Sequence, residues 1–323
     1  MEGEFDVTGK TFLVTGGDKG LGLETIRRLL LGGGRVVLAC RDSKYFGGQA
    51  EEETVSLCSS IGCDRSRLSI LRLDLSSLTS VRDFCSEVKS HIPSLGKFFC
   101  VLLLLHLSLP DVIVCNAGVM SYQEAHHNVT EDGLELHFAV NYLGHFYLVQ
   151  QLKNLLLRSA EARVVLVSSI LLKDGQVETD RLGAPDDGRP GGGRTPQAYA
   201  DSKLMLAMFA RELQRREDGL AVFCVSPGWC RTSLGRSANI PCYSYPALAF
   251  IMLIFGKTVK EGADSIVFCA AKPGLTHLRG KFVRDRKIES SVENFLDHLI
   301  LKTVILWQES SKILTKITQS ESN

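Results

Sequence analysis

The chain has 323 residues, 45% hydrophobic and 23% charged, which is enough to bury a large core. Its 37 basic and 36 acidic residues leave a net charge of +1, and no basic run stands out, so no nucleic-acid partner is expected. Ten cysteines without a C-x-x-C pair, several of them inside apolar runs, point to a reducing compartment with neither a disulfide framework nor a zinc site.

The acidic, polar start "MEGEFDVTGK" reads as neither a signal peptide nor an anchor. From there short apolar runs alternate with helical patterns. "TFLVTGG" (11–17) predicts a strand and "LGLETIRRLLLGG" a helix closed by glycines. "RVVLAC" (35–40) predicts a second strand and "RLSILRLDL" (67–75) a third, followed by a helix from "SLTSVRDFCSEVKS". "DVIVCNAG" (111–118) is the fourth strand, and "DGLELHFAVNYLGHFYLVQQLKNLL" one long helix. "ARVVLVSS" (162–169), "LAVFCVSPG" (220–228) and "GKFV" (280–283) complete seven strands, with a helix from about residue 198 between the fifth and sixth. Near-continuous apolar strands alternating with helices predict an α/β fold: one doubly wound parallel sheet of Rossmann type, whose ligand sits at the carboxyl ends of the strands.

Three segments stand apart. Residues 183–196, rich in Gly, Pro and charge, predict a loop. Residues 241–256, "PCYSYPALAFIMLIFG", are too short to span a bilayer and read as a lid near 233–260 over the substrate, or as a patch dipping into a membrane. Residues 97–110 form an apolar insertion of about a dozen residues where a short link would serve. This run competes with 111–118 for the central strand position, and reads as a splicing variant or a lineage-specific insertion.

The chemistry gathers at strand ends. The first strand runs into Gly16, Gly20 and Gly22, a G-x-x-x-G-x-G turn leading into a helix. That context suits a pyrophosphate: tight turn, close approach, close packing, and free N–H groups at the helix start. Leu21 lies in the same turn. An acidic residue after the second strand would select NAD. Here Cys40 is followed by Arg41, which pairs a 2′-phosphate, with Lys19 as a second cation and Asp42 as a competing anion. The expected cofactor is therefore NADP(H). Asp74, followed by Leu75, is placed either to accept from an adenine amino group or to cap a helix. Asn116, Ala117 and Gly118 end the fourth strand beside the cofactor ribose. Asn141, inside the long helix, needs partners: a helix distortion with a bound water, or backbone alone. Ser169 ends the fifth strand and can hold a substrate oxygen. Pro227 and Gly228 end the sixth, and Thr232 is within reach of a carboxamide.

Tyr199 and Lys203 are one helical turn apart, so their side chains share a face. A free phenol has a pKa of about 10, and a nearby ammonium and a positive nicotinamide both lower it. A fall of about three pH units, worth about 4 kcal/mol, would make Tyr199 an acid or base near neutral pH.

Together the motifs resemble the short-chain dehydrogenase/reductase family over roughly residues 8–285: T-G-x-x-x-G-x-G at 15–22, N-A-G at 116–118, N-Y-L-G-H-F at 141–146, S-S at 168–169, Y-A-D-S-K at 199–203 and Pro-Gly at 227–228. "LACRD", "NAGVM" and "VNYLGHF" are similar to its retinol dehydrogenase-like branch, as is "LWQESSKIL" (306–314) to the branch's C-terminal helix. The resemblance implies a catalytic tetrad of Asn141, Ser169, Tyr199 and Lys203, a homodimer, and NADP-dependent turnover of retinoid-, steroid- or polyprenyl-like carbonyls. It implies a catalytic domain over 8–290 and a C-terminal helix and tail over 291–323. Many members of the branch start with a membrane anchor, whereas this sequence starts polar. The expected location is cytoplasmic, or peripheral on an intracellular membrane. Two other classes remain: a non-catalytic dinucleotide-binding sensor or scaffold, and a membrane-bound interaction protein built on the two apolar segments.

Overall fold

Runs of β-branched and aliphatic residues form the strands. The computed structural model describes residues 4–41, 56–90, 110–121, 129–185, 197–230 and 256–320. In chain order they give β1 (Thr11–Thr15), α1 (Gly20–Leu31), β2 (Arg35–Cys40), β3 (Leu68–Arg72), α2 (Leu78–Ser90) and β4 (Val112–Cys115). A π-helical turn (Phe138–Leu143) then leads directly into α3 (Gly144–Leu156). Next come β5 (Arg163–Val167), a 3-10 turn (Ile170–Asp174), α4 (Gln197–Arg216), β6 (Ala221–Ser226) and α5 (Val259–Ala271). The chain closes with β7 (Phe282–Arg284), β8 (Lys287–Ile288), α6 (Ser290–Asp297) and α7 (Ile300–Ser320).

The strand order is β3-β2-β1-β4-β5-β6-β7-β8, parallel except for the antiparallel β7–β8 pair. The chain reverses direction across the sheet between β1 and β4, and that switch point opens a crevice at the carboxyl ends. Alternate strand residues face opposite layers. Leu13, Ile113, Val164, Leu166 and Val222 pack under α2, α3, α4 and α7. Phe12, Val14, Val112, Val114, Val165 and Val225 pack against α1 and α5.

The strand predicted at 35–40 is matched to the residue, and 112–115 takes the central position for which the apolar insertion competes. Three expectations change. The long helix is broken by the π-helical turn. An eighth strand closes a hairpin through Asp285 and Arg286, both at positive φ, and no glycine announces that turn. The C-terminal part holds two helices, and the second belongs to the core. Trp307 of α7 packs on Phe146 and Phe209 with ring centroids 5.1 and 5.8 Å apart, and Tyr142 Oη lies 2.8 Å from Ser310 Oγ.

Residues 97–109 of the apolar insertion, 241–255 of the apolar run, 186–196 of the loop, Asp42 and Thr232 lie outside the described residues. The eight cysteines among the described residues are free thiols. Among the described residues no helix is long and apolar enough to cross a membrane.

Candidate active site

β1 delivers Thr15 into the glycine turn. Gly22 packs so closely that a Cβ there would lie 2.3 Å from Gly16 O and 2.8 Å from Gly17 Cα. Both are backbone atoms that cannot swing aside. Gly20 is different: it has φ +57°, and a Cβ there would meet nothing within 4 Å. Lys19 begins α1 without a side-chain cap, and no acidic residue lies in the first turn. The helix therefore presents uncapped N–H groups to open space, and this cradle fits a pyrophosphate. Leu21 turns its side chain toward α5, where a Cβ at Gly262 would lie 2.7 Å from its Cδ2. Gly22→Ala should displace the turn. A strain of about 1–3 kcal/mol corresponds to about a 10- to 100-fold loss of dinucleotide affinity. Fluorescence titration with the reduced dinucleotide checks this.

At the end of β4 the geometry refines the expectation for Asn116. Its Nδ2 donates to Thr15 O at 3.0 Å and to Gly16 O at 2.9 Å, so the side-chain amide clamps the glycine turn. The backbone N–H groups of Asn116 and Ala117 both donate to Thr15 Oγ1 at 3.0 Å. Gly118 sits against the next layer: a Cβ there would lie 3.3 Å from Asn141 Oδ1 and 3.4 Å from Lys203 Nζ.

Asn141 lies in the π-helical turn and is wholly buried. Its Oδ1 accepts from Val119 N at 2.7 Å, and its Nδ2 donates to Val119 O and Ser202 Oγ, both at 3.0 Å. A helix distortion is thus present. The partners of the side chain are protein groups, and one of them, Ser202, is a side chain. Ser202 Oγ in turn donates to Tyr199 O at 2.7 Å. Asn141 therefore joins the β4 loop to the first two turns of α4.

Those two turns carry Tyr199, 5% exposed, and Lys203, 4% exposed. Lys203 Nζ lies 5.5 Å from the Tyr199 ring centroid and donates to Val167 O at 3.0 Å. Burial lowers the Lys203 ammonium to about 8, with the Cys224 thiol acting weakly the other way. His137 meets the Tyr199 ring edge-on, with centroids 6.3 Å apart. His137 is itself fixed: Nδ1 lies 2.6 Å from Glu135 Oε1, and Nε2 accepts from Ser121 N at 3.0 Å. Ser169 follows β5 and accepts from Leu171 N at 3.3 Å as the N-cap of the 3-10 turn, a role that keeps its hydroxyl proton available for donation.

Around these, Asp74 is not the cap of the helix that follows it. Its Oδ1 accepts from Ser76 N and Ser76 Oγ at 2.9 and 2.6 Å. The start of α2 is held instead by Ser77, which accepts from Ser80 N, and by Asp132, which accepts from Leu78 N. Leu75 is a core residue whose carbonyl crowds Gly144. Gly228 has φ +82° and faces the Lys257 side chain, while Pro227 O accepts from Cys230 Sγ at 3.4 Å. Arg41 is exposed where β2 ends. Lys19 Nζ is 3.8 Å from Asp18, an anion the sequence reading did not weigh. Thr15, Val119, Ser202 and His145 stand inside the quoted motifs without a role assigned to them, and the buried His137 lies outside any motif. His145 stood inside the N-Y-L-G-H-F motif, which was the available signal.

A doubly wound sheet with a glycine-rich turn at its switch point, and a buried Tyr–Lys face beside it, defines a dinucleotide-binding oxidoreductase. Comparison with known proteins agrees. The short chain dehydrogenase family model matches residues 10–180. The mouse protein named retinol dehydrogenase 14 is 35% identical over 94% of this chain and 85% of its own length. Human retinol dehydrogenase 12 is 34% identical over 86% and 78%. Among solved structures, a putative NAD(P)-dependent gluconate 5-dehydrogenase from Beutenbergia cavernae superposes with a TM-score of 0.64 at 20% identity, covering 87% of this chain and 97% of that one, and so shares the fold. The chain belongs to the short-chain dehydrogenase/reductase family, on its retinol dehydrogenase-like branch. It is an oxidoreductase acting on CH–OH groups, in a family that uses nicotinamide dinucleotides.

Proposed function

We propose that the protein is an NADP(H)-dependent oxidoreductase that interconverts a lipophilic alcohol and its aldehyde or ketone. The observation that carries this reading is the buried Tyr199–Lys203 turn, locked through Ser202 to Asn141 beside the glycine cradle. The dinucleotide, when bound, supplies or accepts the hydride. The chain does the rest. Uncapped N–H groups at the start of α1, with Gly16, Gly20 and Gly22, hold the pyrophosphate, and Asn116 braces that turn. Ala117, Gly118, Pro227 and Gly228 line the cleft. Ser169 donates a hydrogen bond to the substrate oxygen. Tyr199 exchanges a proton with that oxygen, and Lys203, desolvated and cationic at neutral pH, favours the phenolate. Asn141 holds the Tyr199 turn in register.

Arg41, exposed at the end of β2, and Lys19, in the glycine turn, support the phosphorylated cofactor, because cations at these two positions suit a 2′-phosphate. The relatives named as retinol dehydrogenases support an apolar substrate. The test is turnover of a panel of retinoid, steroid and polyprenyl carbonyls with NADPH and NADH. Lipophilic carbonyls with NADPH should be preferred, and turnover of small polar substrates alone would overturn the substrate class. Arg41→Ala should cut the NADPH-over-NADH preference by about 10- to 100-fold, the worth of a charged hydrogen bond of about 1.5–3 kcal/mol. An unchanged preference removes the cofactor assignment.

A further inference from the structure

His145 is fully buried one turn after Asn141 and is used by none of the roles above. Its Nε2 is 2.9 Å from Thr15 Oγ1, and its Nδ1 is 3.1 Å from Asn141 O. The proton positions follow from counting. Thr15 Oγ1 already accepts from Ala117 N and from Asn116 N, the latter shared with Val114 O at 3.0 Å, and these two donors engage both of its lone pairs. Its own proton must therefore point outward, either to His145 Nε2 at 2.9 Å or to Val114 O at 3.5 Å. The shorter contact wins, so Nε2 is the acceptor and Nδ1 carries the ring proton, which it donates to Asn141 O. Burial holds the ring neutral, lowering its pKa to about 4.

The carbonyl it reaches is set in unusual backbone. In the π-helical turn the ladder runs five residues back, as the bond from Gly144 N to Ala139 O shows. The ring of residue 145 thus supplies a donor to the carbonyl four residues back. One imidazole ties the end of β1, which carries the glycine turn, to the turn that carries Asn141. From Asn141 the chain of hydrogen bonds continues through Ser202 to Tyr199.

We propose that His145 is a positioning residue that fixes the dinucleotide cradle and the Asn141–Tyr199 turn in one register, through separate hydrogen bonds from its two nitrogens. This rests on the dehydrogenase reading above. The two arms can be separated chemically. His145→Asn keeps a donor near the Nδ1 position and loses the reach to Thr15. His145→Gln reaches the Nε2 position and loses the short donor to Asn141.

The experiment measures NADPH dissociation constants and single-turnover rates on the full chain. His145→Asn should weaken NADPH binding by about ten-fold, with the smaller loss in the rate at saturating cofactor. His145→Gln should lower the saturated rate by about ten-fold, with the smaller loss in binding. Thr15→Val should weaken NADPH binding by more than His145→Asn does, because it also strips the Asn116 and Ala117 N–H groups of their acceptor, and adding His145→Asn to it should cost no further binding, because the contact with Thr15 is already gone. Nitrogen-15 spectra of the wild-type imidazole provide a readout free of turnover: a neutral Nδ1–H tautomer that does not titrate between about pH 5 and 8. An Nε2–H tautomer, additive losses, or equal damage to both parameters in both variants would overturn the proposal. If wild-type protein binds NADPH and turns over no carbonyl, the dehydrogenase reading fails, and the binding losses and the tautomer still decide the Thr15 arm.

Discussion

Replacing Tyr199 by Phe is expected to lower kcat by about 10²- to 10⁴-fold, the range for removal of a positioned acid or base, with NADPH affinity held within about two-fold. The substitution deletes one oxygen from a side chain that is 5% exposed, and it leaves the ring in place. The edge-on contact with His137 at 6.3 Å survives, as does the bond from Ser202 Oγ to the residue 199 carbonyl, since neither uses the hydroxyl. The fold should therefore be unchanged, and the loss should fall on the proton-transfer step. Stopped-flow measurement of NADPH oxidation with a saturating lipophilic aldehyde isolates that step from binding. A Tyr199→Phe protein that turns over within about ten-fold of the wild type would remove Tyr199 from the acid–base role and favour a non-catalytic dinucleotide-binding protein instead.

Most of the sheet was legible because buried parallel strands are written as unbroken apolar runs, and "RVVLAC" carries both its ends in polar or glycine neighbours. β8 was not legible. It is two residues long, and its turn uses Asp285 and Arg286 at positive φ where a glycine would have marked it. The break in the long helix was half legible: Asn141 among apolar residues demands partners, but only three-dimensional structure shows that Val119 and Ser202 provide them. The same limit explains Asp74 and Asn116. Residue type placed both at strand ends, yet Oδ1 of Asp74 bonds to Ser76, and the Asn116 amide turns back on the glycine turn. Sequence spacing tells which strand end a polar group reaches and leaves open which neighbour it satisfies there.

The second large effect is expected at Lys203, where function and stability should move in opposite directions. Lys203→Met should abolish turnover by at least about 100-fold while raising the melting temperature of the cofactor-free protein. The ammonium is 4% exposed, and burial lowers it from 10.5 to about 8. That gap corresponds to at most about 3 kcal/mol of unfavourable burial of the cation. Methionine fills the same channel with an apolar chain and carries no such penalty. Losing the bond to Val167 O returns part of the gain, at about 1–2 kcal/mol for a buried acceptor left unpaired. A net gain of about 1–2 kcal/mol translates to about 2–6 °C in a chain of this size. The pH dependence has a definite sign. Below about 8 the lysine is protonated in both folded and unfolded states, so the penalty is present in full. Between about 8 and 10.5 the unfolded chain binds more protons, so wild-type stability rises with pH and the advantage of methionine shrinks. Above 10.5 the penalty is gone, and the lost bond to Val167 O leaves the methionine protein the less stable of the two. Calorimetry of both proteins from pH 7 to 10.5 measures this. A Lys203→Met protein that melts lower than the wild type at pH 7, or a gap that does not close with rising pH, would show that the cation is not a destabilising element held for catalysis.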